Sequence, residues 1–264
     1  MTAVDYAAVP RSRFSKDPAV ERSLKLSVRD GVAYSVMAGM SESYFGAYAL
    51  FLKATTTQIA FLAAVPPLLG SLAQLFSAWI ARRMSRRKPI ILTGVSAQML
   101  ILLPIMWLPY FFPNYAVPFF ITCAVLYFAA FNFSGPVWAS LIGDLVPERR
   151  RGRYFARRTR LMSIASFVAL WGAGLILHLA ELQDRTRAGF LVIFSLAVIA
   201  RFYSLTRIAR MMEPPPTASA LPEPVLSRPL FQRIRHSQFA RFSLFYAALN
   251  RSEEHTSELQ SHVR

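Results

Sequence analysis

The stretch DLVPERRRGRYFARRTR, residues 144–160, decides how the chain folds, because it places seven arginines between two long apolar segments. Apolar sequence continues on each side for about 20 residues, which is the length that a helix needs to cross a bilayer. A basic segment of this kind binds nucleic acid, binds lipid headgroups, or determines which side of a membrane a loop occupies. The remainder of the sequence distinguishes these three possibilities.

The composition indicates a membrane protein. The 264 residues are 54% hydrophobic and only 17% charged, which is more apolar than one soluble core requires. Six stretches are long enough for membrane-spanning helices, and they lie at residues 31–52, 57–81, 90–112, 116–143, 161–181 and 188–208. We therefore predict an all-α membrane protein with six transmembrane helices, followed by the truncated start of a seventh.

Lysine and arginine alternate across these stretches. The N-terminal tail and the gaps after the second and fourth stretches hold six, five and seven of them, whereas the intervening gaps hold one, none and two. The positive-inside rule then places the N-terminus and the arginine-rich loops in the cytoplasm. Topology thus accounts for the net charge of +16 without a nucleic-acid partner, and we expect contacts with anionic membrane lipids. Arginine exceeds lysine by 26 to 4, as in GC-rich bacterial genomes, so we expect a bacterial inner membrane.

The composition also divides the chain into parts. We predict a cytoplasmic tail at 1–28, a six-helix bundle at 29–208, a Pro- and Ser-rich cytoplasmic linker at 209–236, and the start of a seventh transmembrane helix at 237–250. The last part, RSEEHTSELQSHVR at 251–264, resembles a translated sequencing adapter over its first twelve residues. We therefore expect this tail to be an artefact and the natural chain to continue differently.

Polar side chains inside the predicted spans are candidates for binding a solute or a proton. Glu42 lies near the middle of the first span, where a charge facing lipid costs on the order of 2–3 kcal/mol, so it should face the bundle interior. There it is a proton site, a counter-ion for a cationic solute, or a structural hydrogen-bond donor. Tyr34, Gln98 and Asn132 are further candidates, and each is alternatively a helix-packing contact. Arg201, near the cytoplasmic end of the sixth span, is expected to extend to the interface.

Two loop segments carry a family resemblance. In AWIARRMSRRK, the basic residues fit a G-x-x-x-D-R-x-G-R-[RK] pattern, but Ala78, Arg82 and Ser85 replace its first glycine, its acidic residue and its second glycine. In GPVWASLIGDLVPERRRGRYFARR, an Asp at a helix end precedes a V-P-E-x-x-R-G-R turn. Together with the layout of six spans and a basic linker, these segments resemble the major facilitator superfamily. The gating and loop candidates that match are Arg82, Arg86, Arg87, Asp144, Glu148, Arg151, Gly152 and Arg153.

Physical chemistry gives several of these loop residues a role. Asp144 and Glu148 have arginines nearby, and such ion pairs can break and reform as two bundles rock, or they simply finish a helix at the interface. Gly152 is expected to permit a tight turn.

The resemblance implies a secondary active transporter that moves a small solute by alternating access, with or without a coupling proton or ion. It also implies a missing C-terminal six-helix half, and it implies no cofactor, no metal site and no enzymatic activity. A polytopic membrane enzyme is one alternative, although the sequence contains no Gly-rich phosphate loop and no His-x-x-x-His pair. A non-transporting six-span scaffold or assembly protein is the other.

Overall fold

The computed structural model describes residues 14–84, 86–214 and 245, and in that part of the chain it contains helices and no strand. The seven α-helices of the described residues are α1 (Pro18–Met40), α2 (Phe45–Phe51), α3 (Thr56–Arg83), α4 (Lys88–Phe111), α5 (Ala116–Leu145), α6 (Arg151–Glu181) and α7 (Thr186–Ala209). Short 3₁₀ turns precede α2, α5 and α6 at Glu42–Tyr44, Pro113–Tyr115 and Glu148–Arg150. The all-helical architecture predicted from the sequence is confirmed.

The starts of two helices follow from local capping signals. Asp17 caps α1, since its carboxylate accepts a hydrogen bond at 2.8 Å from the N–H two residues on, and Pro18 follows at the first helical position. Thr55 and Gln58 form a reciprocal capping box at the start of α3. Helix α1 therefore begins inside the segment 1–28 that the sequence assigns to the cytoplasmic tail.

The first predicted span, residues 31–52, is not one continuous helix. Helix α1 ends at Met40, a 3₁₀ turn follows, and the short helix α2 completes the segment. At the end of α1 the Met37 carbonyl accepts hydrogen bonds from the Ser41 N–H at 2.9 Å and from the Ser41 hydroxyl at 2.7 Å. Hydropathy alone does not predict this break in the helix.

Five of the described helices are long and apolar enough to cross a membrane, with spans at Thr56–Ala81, Lys88–Phe111, Pro113–Leu145, Glu148–Glu181 and Thr186–Ala209. Helix α1 is not among them, because charged residues from Glu21 to Asp30 occupy its N-terminal half. Exactly six spans are therefore not confirmed. The predicted seventh helix at 237–250 lies, apart from residue 245, outside the described residues.

Prolines inside the predicted spans do not end the helices. Pro66 and Pro67 lie within α3, Pro104 and Pro109 within α4, and Pro136 within α5. In a membrane-spanning bundle, neighbouring helices and local adjustments satisfy the backbone groups that a proline releases.

Two apolar clusters fill the bundle at different heights along the helices. Buried members of the first are Met37, Tyr48, Leu102, Phe120 and Phe194. Buried members of the second are Leu24, Ile91, Leu141, Tyr154 and Ile208. Along α7 the first cluster ends at Ala200 and the second begins at Leu205, and the side chains of Arg201 and Ser204 between them are buried. The bundle therefore has a polar layer between two apolar ones.

Glycines allow close contact between helices. Helix α1 packs against α6 and α7, and α4 packs against α5 and α7. A Cβ added to Gly39 of α1 would lie 2.7 Å from the Ser166 carbonyl oxygen of α6. A Cβ added to Gly94 of α4 would lie 2.7 Å from the Ala130 carbonyl oxygen of α5. Both positions therefore require a residue without a side chain, as is usual where membrane helices cross closely.

Substitution of Gly39 by alanine should destabilise the bundle by about 1–3 kcal/mol, because the added methyl group pushes α1 away from the α6 backbone. Gly172→Ala is the matched control, since a Cβ there would meet nothing within 4 Å; alanine should be neutral or slightly stabilising in that helix. Thermal unfolding in detergent micelles, followed by circular dichroism, compares the two. A Gly39→Ala protein as stable as the unsubstituted chain would contradict the close contact.

Candidate functional site

A cavity of about 190 Å³ lies in the polar layer of the bundle. Side chains from α1, α4, α5, α6 and α7 line it, so five helices hold its walls in place. Its charged residues are Asp30, Arg158 and Arg201, and its aromatic residues are Tyr34, Phe131 and Trp138. The cavity thus combines charged groups with aromatic surface inside helices that are otherwise apolar.

Asp30 is the acidic group of the cavity, and it is only 4% exposed. The Ser204 hydroxyl donates a hydrogen bond to its Oδ1 at 2.6 Å, and Nη2 of Arg158 lies 3.9 Å from its Oδ2. The Arg158 guanidinium also lies 4.3 Å from the centre of the Trp138 ring, within range of a cation–π contact. Arg158 reaches the cavity because α6 begins at Arg151, well before the predicted fifth span.

Arg201 of α7 is buried, with 3% of its surface exposed, so the expectation that it extends to the membrane interface is wrong. Its Nη1 donates a hydrogen bond to the Ser204 hydroxyl at 3.2 Å, and its guanidinium lies 5.2 Å from the centre of the Tyr34 ring. Among the described residues its Nε has no hydrogen-bond partner, and it forms no ion pair with a carboxylate. Ser204, which accepts this hydrogen bond, lies three residues further along the same helix.

Ser204 connects the two charges. Its hydroxyl accepts a hydrogen bond from Arg201 and donates one to Asp30, so the three residues form one polar chain between α7 and α1. With Arg158 on the other side of the carboxylate, two guanidinium groups face one carboxylate in the cavity wall. The formal charge of the lining is therefore +1 with all three groups ionised.

Glu42 lies in the 3₁₀ turn after α1, half-buried and outside the cavity wall. The Tyr127 hydroxyl of α5 donates a hydrogen bond to its Oε1 at 2.7 Å. Tyr34 of α1 lies within interaction range of the same carboxylate, and its ring stacks on Phe131 with 5.4 Å between centroids. The predicted candidates Glu42 and Tyr34 are thus brought together at the border between the polar layer and the first apolar cluster.

The other two span candidates lie elsewhere. Gln98 of α4 is fully buried, and neither atom of its side-chain amide has a hydrogen-bond partner among the described residues. Asn132 of α5 donates a hydrogen bond to the Phe128 carbonyl at 2.9 Å and faces Gly70 of α3, where it fills the contact between two helices. Neither residue lines the cavity.

Two of the loop candidates form an ion pair. Nη1 of Arg87 lies 2.7 Å from Oδ2 of Asp144 and donates a second hydrogen bond to the Ser140 hydroxyl at 2.9 Å. The Glu213 carboxylate accepts hydrogen bonds from the N–H groups of Arg87 and Lys88. The pair therefore joins the start of α4 to the end of α5, and Glu213 adds the segment that follows α7.

The remaining loop candidates are spread over the surface. Arg151 donates a hydrogen bond to the Gly143 carbonyl at 3.1 Å, and Glu148 lies in the 3₁₀ turn before α6. Gly152 is the second residue of α6, and a Cβ there would meet nothing within 4 Å, so the expected tight turn at this glycine is not present. The side chains of Arg86 and Arg153 are exposed, and that of Arg82 lies outside the described part.

Sequence reasoning missed two charged residues of the cavity wall, Asp30 and Arg158, and it missed Ser204, whose hydroxyl joins Asp30 to Arg201. Asp30 lies next to the predicted tail, Arg158 lies in the arginine-rich segment, and Ser204 is one of many serines. One signal was available for Asp30, because Tyr34 follows it by four residues and therefore lies on the same face of α1. For Arg158 there was no local signal, since seven arginines share its segment.

Replacement of Ser204 by alanine should lower the free energy of unfolding by about 1–3 kcal/mol, because Asp30 and Arg201 then lose their shared partner. Ser195→Ala, on the same helix, is the matched control, since that hydroxyl bonds to the Leu191 carbonyl one turn back. The control should change stability by no more than about 0.5 kcal/mol. Titration with sodium dodecyl sulfate in mixed micelles measures the free energy of unfolding of both variants. Equal losses of stability in Ser204→Ala and Ser195→Ala would contradict the bridging role.

A comparison with family models connects this bundle to known proteins. The model described as Major Facilitator Superfamily matches residues 31–251, which includes α2 to α7 and most of the cavity lining. A comparison with curated proteins found no match. The match covers most of the chain and agrees with the apolar helices, so the chain is an integral membrane protein that belongs to the major facilitator superfamily of transporters.

Proposed function

We propose that this chain belongs to a secondary active transporter that moves a small solute by alternating access, and that the charged cavity is its solute site. One observation supports the proposal: Asp30 and Arg201, which are buried, and Arg158, whose side chain is 13% exposed, line a cavity in a bundle whose described residues include five helices apolar enough to span a membrane. Ionisable groups at such positions are expensive to keep, and in membrane proteins they line substrate and ion pathways. A cofactor is not needed for this activity.

The cytoplasmic ends of α4 and α5 provide the proposed gate. The side chains of Arg87 and Asp144 are 11% and 28% exposed, so water reaches the pair and screens it in part. An ion pair of this kind can open and reform as the helices move. Glu148, Arg151, Gly152, Arg153, Arg82 and Arg86 are proposed to belong to the same cytoplasmic surface, with the N-terminus on that side of a bacterial inner membrane.

A second six-helix body is proposed to complete the carrier. Helices α3 and α6 leave most of their side chains uncovered, and the exposed residues include Gln74 in the middle of α3. An amide that faces hydrocarbon has no hydrogen-bond partner, so a protein surface is a better neighbour for it than lipid. Exposed Leu72, Phe76 and Phe167 supply the apolar part of the same two faces.

The arginines at the cytoplasmic ends of the helices are proposed to contact anionic lipid headgroups, each at about 1 kcal/mol near the membrane surface. The polar layer also offers a route for a coupling proton or ion, and Glu42 with its Tyr127 contact is the proposed place for it.

Accessibility of the cavity from the two sides of the membrane tests the proposal. Gly135 lines the cavity and a Cβ there would meet nothing within 4 Å, so Gly135→Cys should fold normally. Cys123, the one cysteine of the chain, is replaced by alanine. Both changes are made at the natural locus, so that any further chain encoded there is present. A membrane-impermeant maleimide is then added to right-side-out and inside-out vesicles.

A carrier should expose the thiol at position 135 to both faces, since its cavity opens to each in turn. Gly172→Cys is the matched control, because a Cβ at that position of α6 also meets nothing within 4 Å and the residue lies outside the cavity wall. Its labelling gives the background for a helix position away from the cavity. Labelling at position 135 from neither face, or from one face only, would contradict alternating access and favour a non-transporting scaffold.

A further inference from the structure

We propose that the solute is a carboxylate with a compact apolar body, and that Arg201 holds its carboxylate group. This inference rests on the proposed function, because it takes the charged cavity as the solute site. The groups that line the cavity determine the chemical class of the solute that fits it.

The buried guanidinium of Arg201 has few hydrogen-bond partners. A buried guanidinium normally has a carboxylate or several acceptors as partners, because its desolvation is costly. Among the described residues, Arg201 donates a hydrogen bond to the Ser204 hydroxyl at 3.2 Å, and its Nε has no partner. The side chain is 3% exposed, so bulk water does not replace the missing partner. A guanidinium group in this position favours the binding of an anion.

The carboxylates near Arg201 already have other partners. Asp30 is already engaged by Ser204 at 2.6 Å and by Arg158 at 3.9 Å, so it does not neutralise both guanidinium groups. Glu42 interacts with Arg201 electrostatically, but it lies outside the cavity wall and accepts its hydrogen bond from Tyr127. One positive charge in the lining is therefore left for the solute to balance.

The shape of a guanidinium group matches that of a carboxylate. The Nε–H and a neighbouring Nη–H of an arginine form a planar edge that matches the two oxygens of a carboxylate. In Arg201 the bond to Ser204 uses Nη1, and Nε has no partner among the described residues. A carboxylate is therefore a better fit than a neutral amide or an ammonium group, which would meet an unpaired cation.

The rest of the cavity wall limits what the body of the solute can be. Apart from the charged groups, the wall consists largely of apolar and aromatic side chains, among them Val95, Phe131, Trp138 and Met162. The Ser134 hydroxyl in the same wall bonds to the Phe131 carbonyl of its own helix at 3.0 Å. Few polar groups remain for a sugar-like or strongly hydrated body, and the volume of about 190 Å³ admits only a small one.

Three aromatic probes of similar size test the charge preference. Benzoate carries a carboxylate, benzamide is its neutral analogue, and benzylammonium is a cation. Equilibrium dialysis of each radiolabelled probe against the purified full chain in detergent micelles gives the affinities. We expect benzoate to bind about tenfold or more tightly than benzamide, because a hydrogen-bonded charge pair is lost in the amide. Equal binding of benzoate and benzamide, or tighter binding of benzylammonium, would overturn the proposal.

Variants then assign the charge to one residue. Arg201→Gln should weaken benzoate binding about tenfold or more and leave benzamide binding unchanged, since glutamine keeps polar contacts but removes the charge. Arg207→Gln is the matched control, because Arg207 is on the same helix but lies over the Tyr203 ring and outside the cavity wall. Retention of benzoate binding in Arg201→Gln would overturn the assignment. If that variant does not fold, the comparison of the three probes with the unsubstituted chain decides.

Failure of this inference can be distinguished from failure of the proposed function. Preference for benzylammonium together with two-sided labelling at position 135 would leave a transporter with a different solute class. Preference for benzoate without two-sided labelling would leave a carboxylate-binding site in a protein that does not alternate.

Discussion

The bundle depends on how it holds the guanidinium of Arg201 between two apolar clusters. An isolated ion of this size costs several kcal/mol to bury, even after the protein relaxes around it. Ser204 reduces that cost by joining Arg201 to Asp30, and Arg158 holds the other oxygen of the carboxylate. Because these residues come from α1, α6 and α7, the charges also fix how those three helices meet. The cavity lies between these helices, with Asp30, Arg158 and Arg201 in its wall.

Arginine serves two different purposes in this chain. Near the ends of the helices it pairs with carboxylates that water can still reach, as Arg87 does with Asp144, and its distribution along the sequence predicts the membrane topology. In the polar layer, Arg158 and Arg201 are largely buried, and their surroundings are aromatic rings and hydroxyl groups. A planar and weakly hydrated guanidinium tolerates both settings better than an ammonium group. The same residue type therefore occurs both at the ends of the helices and in the candidate solute site.

The sequence predicted the helices better than the cavity, and the reasons are physical. Long apolar stretches predict α4, α5 and α7 because a chain in lipid must satisfy its backbone hydrogen bonds within each segment. The break after Met40 lies inside a predicted span, and hydropathy does not register it. Arg158 looks like a loop charge in the sequence because a basic residue ends an apolar stretch, although the helix itself continues. Asp30 and Ser204 become partners only through tertiary contact.

The claim at the centre of this account is that Asp30 and Arg201 act as one coupled unit through Ser204. A double-mutant cycle measures that coupling most directly: the free energy of unfolding in mixed micelles is determined for the unsubstituted chain, Asp30→Asn, Arg201→Gln and the double variant. The account predicts that the double variant loses less stability than the two single variants together, by on the order of 1–3 kcal/mol. Strictly additive losses would mean that the two charges are independent and would contradict the coupled site.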